Sequence, residues 1–237
     1  MKRVLIKLSG EAIAIKDASG RVVEMYDPEL VNKVAEVLKK CVDDGFQIAV
    51  VIGAGNIWRG RAGVGMDRTD ADRMGMLATV MNSIYLKDAL LRHGQEAVVM
   101  TAVNMFPFAD YYSADEAKRA LDDGKIVIFG AGLGIPFLST DTTGAVRSAE
   151  ISADAMLMAK NIDYIYTADP VKDETATPLH NVKASEVLAM NLKAIDATAT
   201  AFALSVGMPI RVFGLNNPED IIRAVNGEVV GTVITAE

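Results

Sequence analysis

Two patterns of apolar residues alternate along this 237-residue chain. Between short apolar runs lie stretches in which apolar residues recur every three or four positions, as they do on one face of a helix. The short runs, which are typical of buried strands, span residues 4–8, 47–52, 96–100, 125–129, 164–166, 210–213 and 229–234. Strands that alternate with helices predict an α/β fold, a three-layer αβα sandwich around a mostly parallel sheet.

The predicted helices have recognisable ends. Asp27-Pro28 opens the first helix, which ends at Gly45, and a longer helical pattern ends before Gly94. Ser113-Ala-Asp-Glu116 has the spacing of a capping box. Further helical stretches are predicted around residues 185–189, around residues 196–206 and after Asn217-Pro218. No repeat, low-complexity linker or block of charge divides the chain, so residues 1–237 are expected to form a single domain.

Composition narrows the class of protein. Apolar residues make up 51% of the chain, which is enough for a sizeable core. The formal net charge of −7 argues against partners such as nucleic acid or an anionic membrane. The lone cysteine, Cys41, has no intrachain partner for a disulfide, and the first apolar run meets Lys7 too early for a signal peptide or a membrane span. These features predict a cytoplasmic protein without a membrane segment.

Lys7 interrupts an apolar strand that helices should cover on both sides. Burying an unpaired ammonium group is costly, so Lys7 requires an anionic partner unless its side chain reaches water at the end of the strand. Ser9-Gly10 follows at once, which places small residues at the carboxyl end of the strand. Open α/β sheets bind ligands at this edge, where backbone N–H groups can approach phosphate closely.

Glycine-rich turns follow two other predicted strands. Gly53-Ala-Gly-Asn56 comes after the second strand, with Arg59 and Arg61 close behind, and Gly130-Ala-Gly-Leu-Gly134 comes after the strand at residues 125–129. One such turn is weak support for a ligand, because tight turns use glycine for backbone reasons alone. The chain also lacks the Walker and Rossmann glycine motifs. The hypothesis is therefore that these loops share one crevice, in which they bind phosphate groups by an arrangement other than these two motifs.

Two further segments carry polar side chains near the predicted sheet edge. Ser139-Thr-Asp141 stands where a helix begins, and it is open to two interpretations: simple helix capping, or an anion site at the helix N-terminus. Tyr166-Thr-Ala-Asp-Pro170 is, by itself, only a turn signal.

Together these segments resemble the amino acid kinase family, and in detail its uridylate kinase branch. The motifs that carry the resemblance are Lys7-Leu-Ser-Gly10-Glu-Ala, Gly53-Ala-Gly-Asn-Ile-Trp-Arg-Gly60, Asp72-Arg-Met-Gly-Met-Leu-Ala-Thr-Val-Met-Asn82, Thr167-Ala-Asp-Pro170 and Pro209-Ile-Arg-Val-Phe213. The resemblance runs from residue 1 to about residue 235. The segment at residues 72–82 discriminates most, since the other features are shared with aspartate, carbamate and acetylglutamate kinases.

The resemblance implies the amino acid kinase fold and a reaction in pyrimidine nucleotide biosynthesis, in which ATP phosphorylates UMP. It implies a nucleotide-binding set for ATP: Lys7, Leu8, Ser9, Gly10, Gly55, Arg59, Asn161, Tyr166 and Asp169. It implies a set for UMP, with Asp72 on the ribose hydroxyls: Ala54, Asp72, Leu133, Gly134, Ile135, Pro136, Phe137, Leu138, Ser139 and Thr140. The implied catalytic residues are Lys7, Arg59, Asp141, which would orient Lys7, and Asp196.

The same resemblance implies Mg²⁺ bridging ATP oxygens with no dedicated protein ligands, UTP as a feedback inhibitor and a homohexamer. Two departures from the family pattern matter. Ala54 replaces a glycine, which requires a φ below zero there, and residues 12–27 have no glycine-rich segment of the type associated with GTP activation.

Two alternatives stay open: another amino acid kinase that forms an acyl phosphate, and a nucleotide-binding or storage protein without catalysis.

Overall fold

The computed structural model describes residues 2–58, 65–170, 172–192 and 194–236. The strands are β1 Arg3–Leu8, β2 Ile15–Lys16, β3 Val22–Glu24, β4 Gln47–Ile52, β5 Ala97–Thr101, β6 Asp110–Tyr111, β7 Ile126–Gly130, β8 Ala155–Lys160, β9 Ile165–Tyr166, β10 Pro178–Leu179, β11 Asn181–Lys183, β12 Ile210–Gly214 and β13 Thr232–Thr235. The α-helices are α1 Pro28–Asp43, α2 Arg68–Arg92, α3 Ala114–Asp122, α4 Thr140–Glu150, α5 Ala184–Ala189, α6 Ala197–Ser205 and α7 Glu219–Val225. A short 3-10 helix, Gly10–Ile13, follows β1.

A nine-stranded sheet forms the middle layer, in the order β11-β13-β12-β8-β1-β4-β7-β5-β6. All the pairings are parallel except β12 with β13, which is antiparallel. Two small antiparallel ribbons, β2 with β3 and β9 with β10, lie outside this sheet. The predicted mostly parallel α/β sandwich is confirmed.

Side chains of the central strands alternate between two apolar layers. Val4, Ile6 and Leu8 of β1 pack in the layer that contains apolar residues of α1, α2 and α7. Leu5 packs in the opposite layer, with residues of α3, α4, α5 and α6. Because successive strand residues point to opposite faces, Lys7 lies on the same face as Leu5, toward α4.

Helix ends agree with the capping residues in the sequence. The Asp27 carboxylate accepts from Leu30 N–H at the start of α1, and the Ser113 hydroxyl accepts from Glu116 N–H at the start of α3. Helix α2 begins at Arg68 and is capped by Asp67, so Asp72 lies inside its second turn. Asp72 is thus not the residue that caps this helix.

Strand β8 was missing from the sequence prediction, although it lies beside β1 in the centre of the sheet. Its residues, Ala-Met-Leu-Met-Ala-Lys, include alanine, methionine and leucine, which favour helices when taken alone. The last strand was also placed too early, since it begins at Thr232 rather than residue 229. Within the described ranges, none of the helices is both long enough and apolar enough to cross a bilayer.

Candidate active site

The carboxyl ends of four adjacent parallel strands meet at one edge of the sheet. Lys7 lies near the end of β1, Gly53 directly follows β4, Gly130 ends β7 and Lys160 ends β8. Neighbouring strands in the order β8-β1-β4-β7 bring these positions together, as the pattern of strands followed by glycines predicts.

Lys7 and Asp141 form a buried ion pair at this edge. The distance from Lys7 Nζ to Asp141 Oδ1 is 2.9 Å, and the two side chains are 7% and 10% exposed. Asp141 is the second residue of α4, the helix that covers this face of β1. The alternative in which Lys7 reaches water is therefore wrong, and the anionic partner it requires is Asp141.

Lys160 is a second lysine on the same carboxylate, and sequence analysis did not select it. Its Nζ lies 2.9 Å from Asp141 Oδ2, and it also donates to the carbonyl oxygen of Ala194. The available signal was a lysine at the end of an apolar run, but that run was not recognised as a strand. Asp141 thus bridges Lys7 and Lys160, which places two cations on one aspartate.

Neighbouring charges determine the protonation state of Asp141, which is buried between the two lysines. Burial on its own would raise the pKa of Asp141, but the charges and hydrogen bonds of Lys7 and Lys160 outweigh it and hold the pKa of Asp141 at about 2. Burial lowers the pKa of Lys160, and the Asp141 charge opposes that change. The aspartate is therefore ionised at neutral pH, and it balances one of the two lysine charges.

Backbone contacts join the loops that follow β1 and β4. Gly53 N–H donates to the carbonyl oxygen of Leu8, and a Cβ at Gly10 would lie 2.3 Å from the carbonyl oxygen of Gly53. Only glycine fits at position 10 without moving this backbone. The Leu8 side chain is buried in the α1 layer, so only its backbone can face a ligand, and the Ser9 side chain makes no capping bond at the 3-10 helix.

A cavity of about 670 Å³ opens between α2, the loop after β4 and the N-termini of α4 and α6. It is lined by six residues of the predicted UMP set, by two predicted catalytic residues and by Gly55 of the predicted ATP set; the first two groups are Ala54, Asp72, Phe137, Leu138, Ser139 and Thr140, and Asp141 and Asp196. Ala54 is not among the described residues with positive φ, as its replacement of glycine requires. Leu133, Gly134, Ile135 and Pro136 are not among the described lining residues, and Gly134 instead packs closely against Ala102.

Asp196 links the N-termini of two helices. One carboxylate oxygen accepts from the Ser139 and Thr142 hydroxyls, each at 2.6 Å, and the other accepts from Thr198 N–H at 3.2 Å, which caps α6. Ser139 itself caps α4 through Thr142 N–H. The capping interpretation of Ser139 is confirmed, and a helix N-terminus that faces the cavity also favours an anion.

Asp72 faces the same cavity with its carboxylate already engaged. Arg68 Nε donates to both oxygens, at 2.9 and 3.0 Å, and Phe137 N–H donates to Oδ2 at 2.8 Å. Arg68 also lines the cavity, and sequence analysis did not select it either. It lies four residues before Asp72 on α2, so helical spacing puts the two side chains on one face.

A second cavity, of about 480 Å³, adjoins the first, since Asn191 and Leu192 line both. Tyr166 and Asp169 from the predicted ATP set line it. Asn161 lies elsewhere, in a third cavity of about 390 Å³ that Lys160 also lines. Predicted ATP residues thus line three cavities: Gly55 lines the first, Tyr166 and Asp169 line the second, and Asn161 lines the third. Arg59 and Arg61 lie outside the described residues.

The parallel sheet, its glycine loops and the paired lysines define an α/β protein that carries two largely buried cations at the carboxyl edge of its sheet. The family model described as the amino acid kinase family matches residues 2–214, and the chain belongs to that family.

Three solved structures indicate which members of the family it resembles. UMP kinase from Bacillus anthracis is 36% identical with a TM-score of 0.92, covering 100% of this chain and 96% of the other. UMP kinase from Ureaplasma parvum is 31% identical with a TM-score of 0.90, covering 99% and 98%. Uridylate kinase from Archaeoglobus fulgidus is 26% identical with a TM-score of 0.75, covering 99% and 100%.

Proposed function

We propose that this chain is a UMP kinase, which transfers the γ-phosphoryl group of ATP to UMP and yields UDP and ADP in pyrimidine nucleotide biosynthesis. Full-length similarity to UMP kinases at 36% and 31% identity carries this proposal. The 670 Å³ cavity, which is lined by Asp141 of the buried Lys7–Asp141–Lys160 trio, and the adjoining 480 Å³ cavity provide space for an acceptor and a donor nucleotide.

The acceptor nucleotide is assigned to the 670 Å³ cavity and the donor to the 480 Å³ cavity. Asp72 supplies a carboxylate for sugar hydroxyls in the first, and Tyr166 supplies an aromatic ring in the second. The α4 N-terminus, with Thr140, points its dipole at the first cavity and suits the UMP phosphate. Both nucleotides would then direct their phosphates toward the edge that carries Lys7 and Lys160.

In this reaction a phosphate oxygen of UMP attacks the γ-phosphorus of ATP while the bond from that phosphorus to the bridging β-γ oxygen breaks. No side-chain nucleophile is required, because the protein positions two anions and stabilises the charge on the moving group. Lys7 and Lys160 supply the positive charge, and Asp141 fixes where their ammonium groups lie. Arg59 is proposed as a further cation where the phosphates of the two substrates meet.

Mg²⁺ is the proposed metal, bound mainly by ATP oxygens and water. Among the described residues, no cluster of three or more potential metal ligands of the His, Cys, Asp or Glu type occurs. This fits an ion that keeps much of its water and needs few protein ligands. When bound, it neutralises charge on the ATP phosphates.

An assay of ATP-dependent turnover tests the function. Purified protein is supplied with ATP, Mg²⁺ and one acceptor at a time: UMP, CMP, dUMP, carbamate, aspartate or acetylglutamate. We expect UDP and ADP in equal amounts with UMP as the preferred acceptor. Preference for an acid acceptor would identify another kinase of the family, and nucleotide binding without turnover would identify a binding protein.

We also propose that the chain forms one domain and assembles as a cytoplasmic homohexamer.

UTP is proposed as a feedback inhibitor. UTP contains the uridine group of UMP and three phosphates, so it can compete for the acceptor cavity. Inhibition by UTP that is relieved by excess UMP supports this proposal, and inhibition that excess UMP leaves unchanged contradicts it.

A further inference from the structure

Arg68, Asp72 and Phe137 form a contact cluster on the wall of the acceptor cavity, which we name the Arg68 cluster. Arg68 Nε shares its hydrogen between the two Asp72 oxygens, and Phe137 N–H donates to Oδ2. The Arg68 guanidinium carbon also lies 5.5 Å from the centroid of the Phe137 ring. One arginine therefore contacts both the α2 carboxylate and the segment that precedes α4.

Phe137 adopts a conformation that needs outside support. Its φ is 71°, in the left-handed region that bulky residues rarely occupy. Its side chain is 65% exposed, so burial in the core does not hold it there. The N–H bond to Asp72 and the contact with Arg68 are the interactions available to hold it. The conformation of residue 137 thus depends on the carboxylate that faces the cavity.

The Asp72 carboxylate keeps room to accept a hydrogen bond from a sugar hydroxyl. A carboxylate offers about four lone-pair directions. Among the described residues, Oδ2 accepts from Arg68 and Phe137, whereas Oδ1 accepts only from Arg68. The open direction therefore lies on Oδ1, and the orientation of Oδ1 is set by the Arg68 bond. Without that bond, the terminal torsion of an aspartate is broad and the open lone pair would lose its fixed direction.

We propose that Arg68 is a positioning residue for selection of the sugar: it aims Asp72 Oδ1 at a ribose hydroxyl and so sets the preference for UMP over dUMP. This inference rests on the proposed function. Charge-assisted hydrogen bonds fix such geometry more firmly than neutral ones. The side chains of Arg68 and Asp72 are only partly exposed, 40% and 16% respectively, so water screens their ion pair less than it would on an open surface.

The test compares kcat/KM for UMP and dUMP, at saturating ATP, in the unmodified protein and in Arg68→Gln. We expect the ratio of UMP to dUMP to fall about five- to tenfold in Arg68→Gln, because a hydrogen bond to a charged acceptor is weakened. The loss should arise mainly in KM for UMP, with kcat nearly unchanged, as for an interaction made equally in ground and transition states. Arg68→Lys should recover part of the ratio.

The matched control is Arg73→Gln. Arg73 lies on the same helix and pairs with Asp70 at 2.9 Å, but it is exposed and does not line the cavity. It should keep the UMP to dUMP ratio of the unmodified protein. Unfolding in urea, followed by circular dichroism, checks that each variant is folded.

A double variant separates positioning from general stability. If Arg68 acts through Asp72, then Arg68→Gln combined with Asp72→Asn should lower the ratio no further than Asp72→Asn alone. An unchanged ratio in Arg68→Gln, an equal fall in Arg73→Gln, or fully additive losses would overturn the inference while UMP turnover persists. Absence of UMP turnover in the unmodified protein would overturn the proposed function, and this inference with it.

Discussion

At the scale of single residues, the proposed chemistry depends on Lys7 and on what surrounds its ammonium group. Strand alternation turns Lys7 toward the α4 layer, and Asp141 meets it there at 2.9 Å. Lys160 approaches the other oxygen of the same aspartate, so removing Lys7 still leaves Asp141 with a cationic partner. This arrangement allows the catalytic role of Lys7 to be measured without an unpaired buried carboxylate.

Lys7→Ala is expected to lower kcat on the order of 10²-fold or more, because a positioned cation stabilises charge that develops at the transferring phosphoryl group. Folding should survive, as judged by circular dichroism. Lys39→Ala, which removes a partly exposed lysine paired with Asp43, should keep normal turnover. Near-normal turnover of Lys7→Ala would reduce Lys7 to a structural lysine.

Asp141 makes stability depend on pH in the acid range. Its folded pKa of about 2 lies below the ordinary aspartate pKa of 3.8, so its ionised form stabilises the folded state above about pH 4. That contribution should be lost as the pH falls from about 4 to 2. Urea unfolding across this range should show a drop in the free energy of unfolding that Asp141→Asn, measured in parallel, lacks. Parallel pH curves for the two proteins would argue against a depressed pKa at Asp141.

At the scale of elements, local signals in the sequence predicted more than pairings between distant segments. Apolar runs located β1, β4 and β7, and the glycines after them indicated the functional edge, because both are local patterns. Strand β8 was missed, since its helix-favouring residues become a strand only through pairing with β1 and β12. Lys160 was missed with it. Arg68 was missed although its spacing of four residues from Asp72 is a local signal, whereas its contact with Phe137, 69 residues away in sequence, could not be predicted locally.

The contact between the loops after β1 and β4 gives a prediction at this scale. Gly10→Ala would place a Cβ 2.3 Å from the Gly53 carbonyl oxygen, so one of the two loops must move. We expect KM for ATP to rise about tenfold or more, because a displacement of groups that position a substrate weakens its productive binding by about that factor or more. Gly20→Ala is not a suitable control, because Gly20 has a positive φ. At Gly75, an added Cβ would lie 3.8 Å from its nearest neighbour among the described residues outside its own helix. Gly75→Ala should leave KM for ATP unchanged, and an unchanged KM in Gly10→Ala would contradict the proposed ATP contact.

At the scale of the whole molecule, α2 presents an apolar stripe that the described part of the chain leaves uncovered. Met74, Leu77, Met81 and Ile84 follow helical spacing and are all exposed. Contiguous exposed apolar residues on a helix mark an interaction surface more often than scattered ones do. A second copy of the chain fits the expected homohexamer, because a stripe on one straight helix can pair with itself about a two-fold axis.

Replacing Leu77 and Met81 with glutamate should therefore reduce the assembly. We expect the unmodified protein to have the mass of six 25.3 kDa chains by light scattering, and the double variant to have a smaller mass. Burying two carboxylates in an apolar contact is costly, so dissociation is favoured over a rearranged interface. Val229→Glu, which adds one negative charge at an exposed apolar position outside α2, should keep the original mass. If the α2 variant also kept that mass, the stripe would not be the contact between subunits, and the assembly would have to use another face of the molecule.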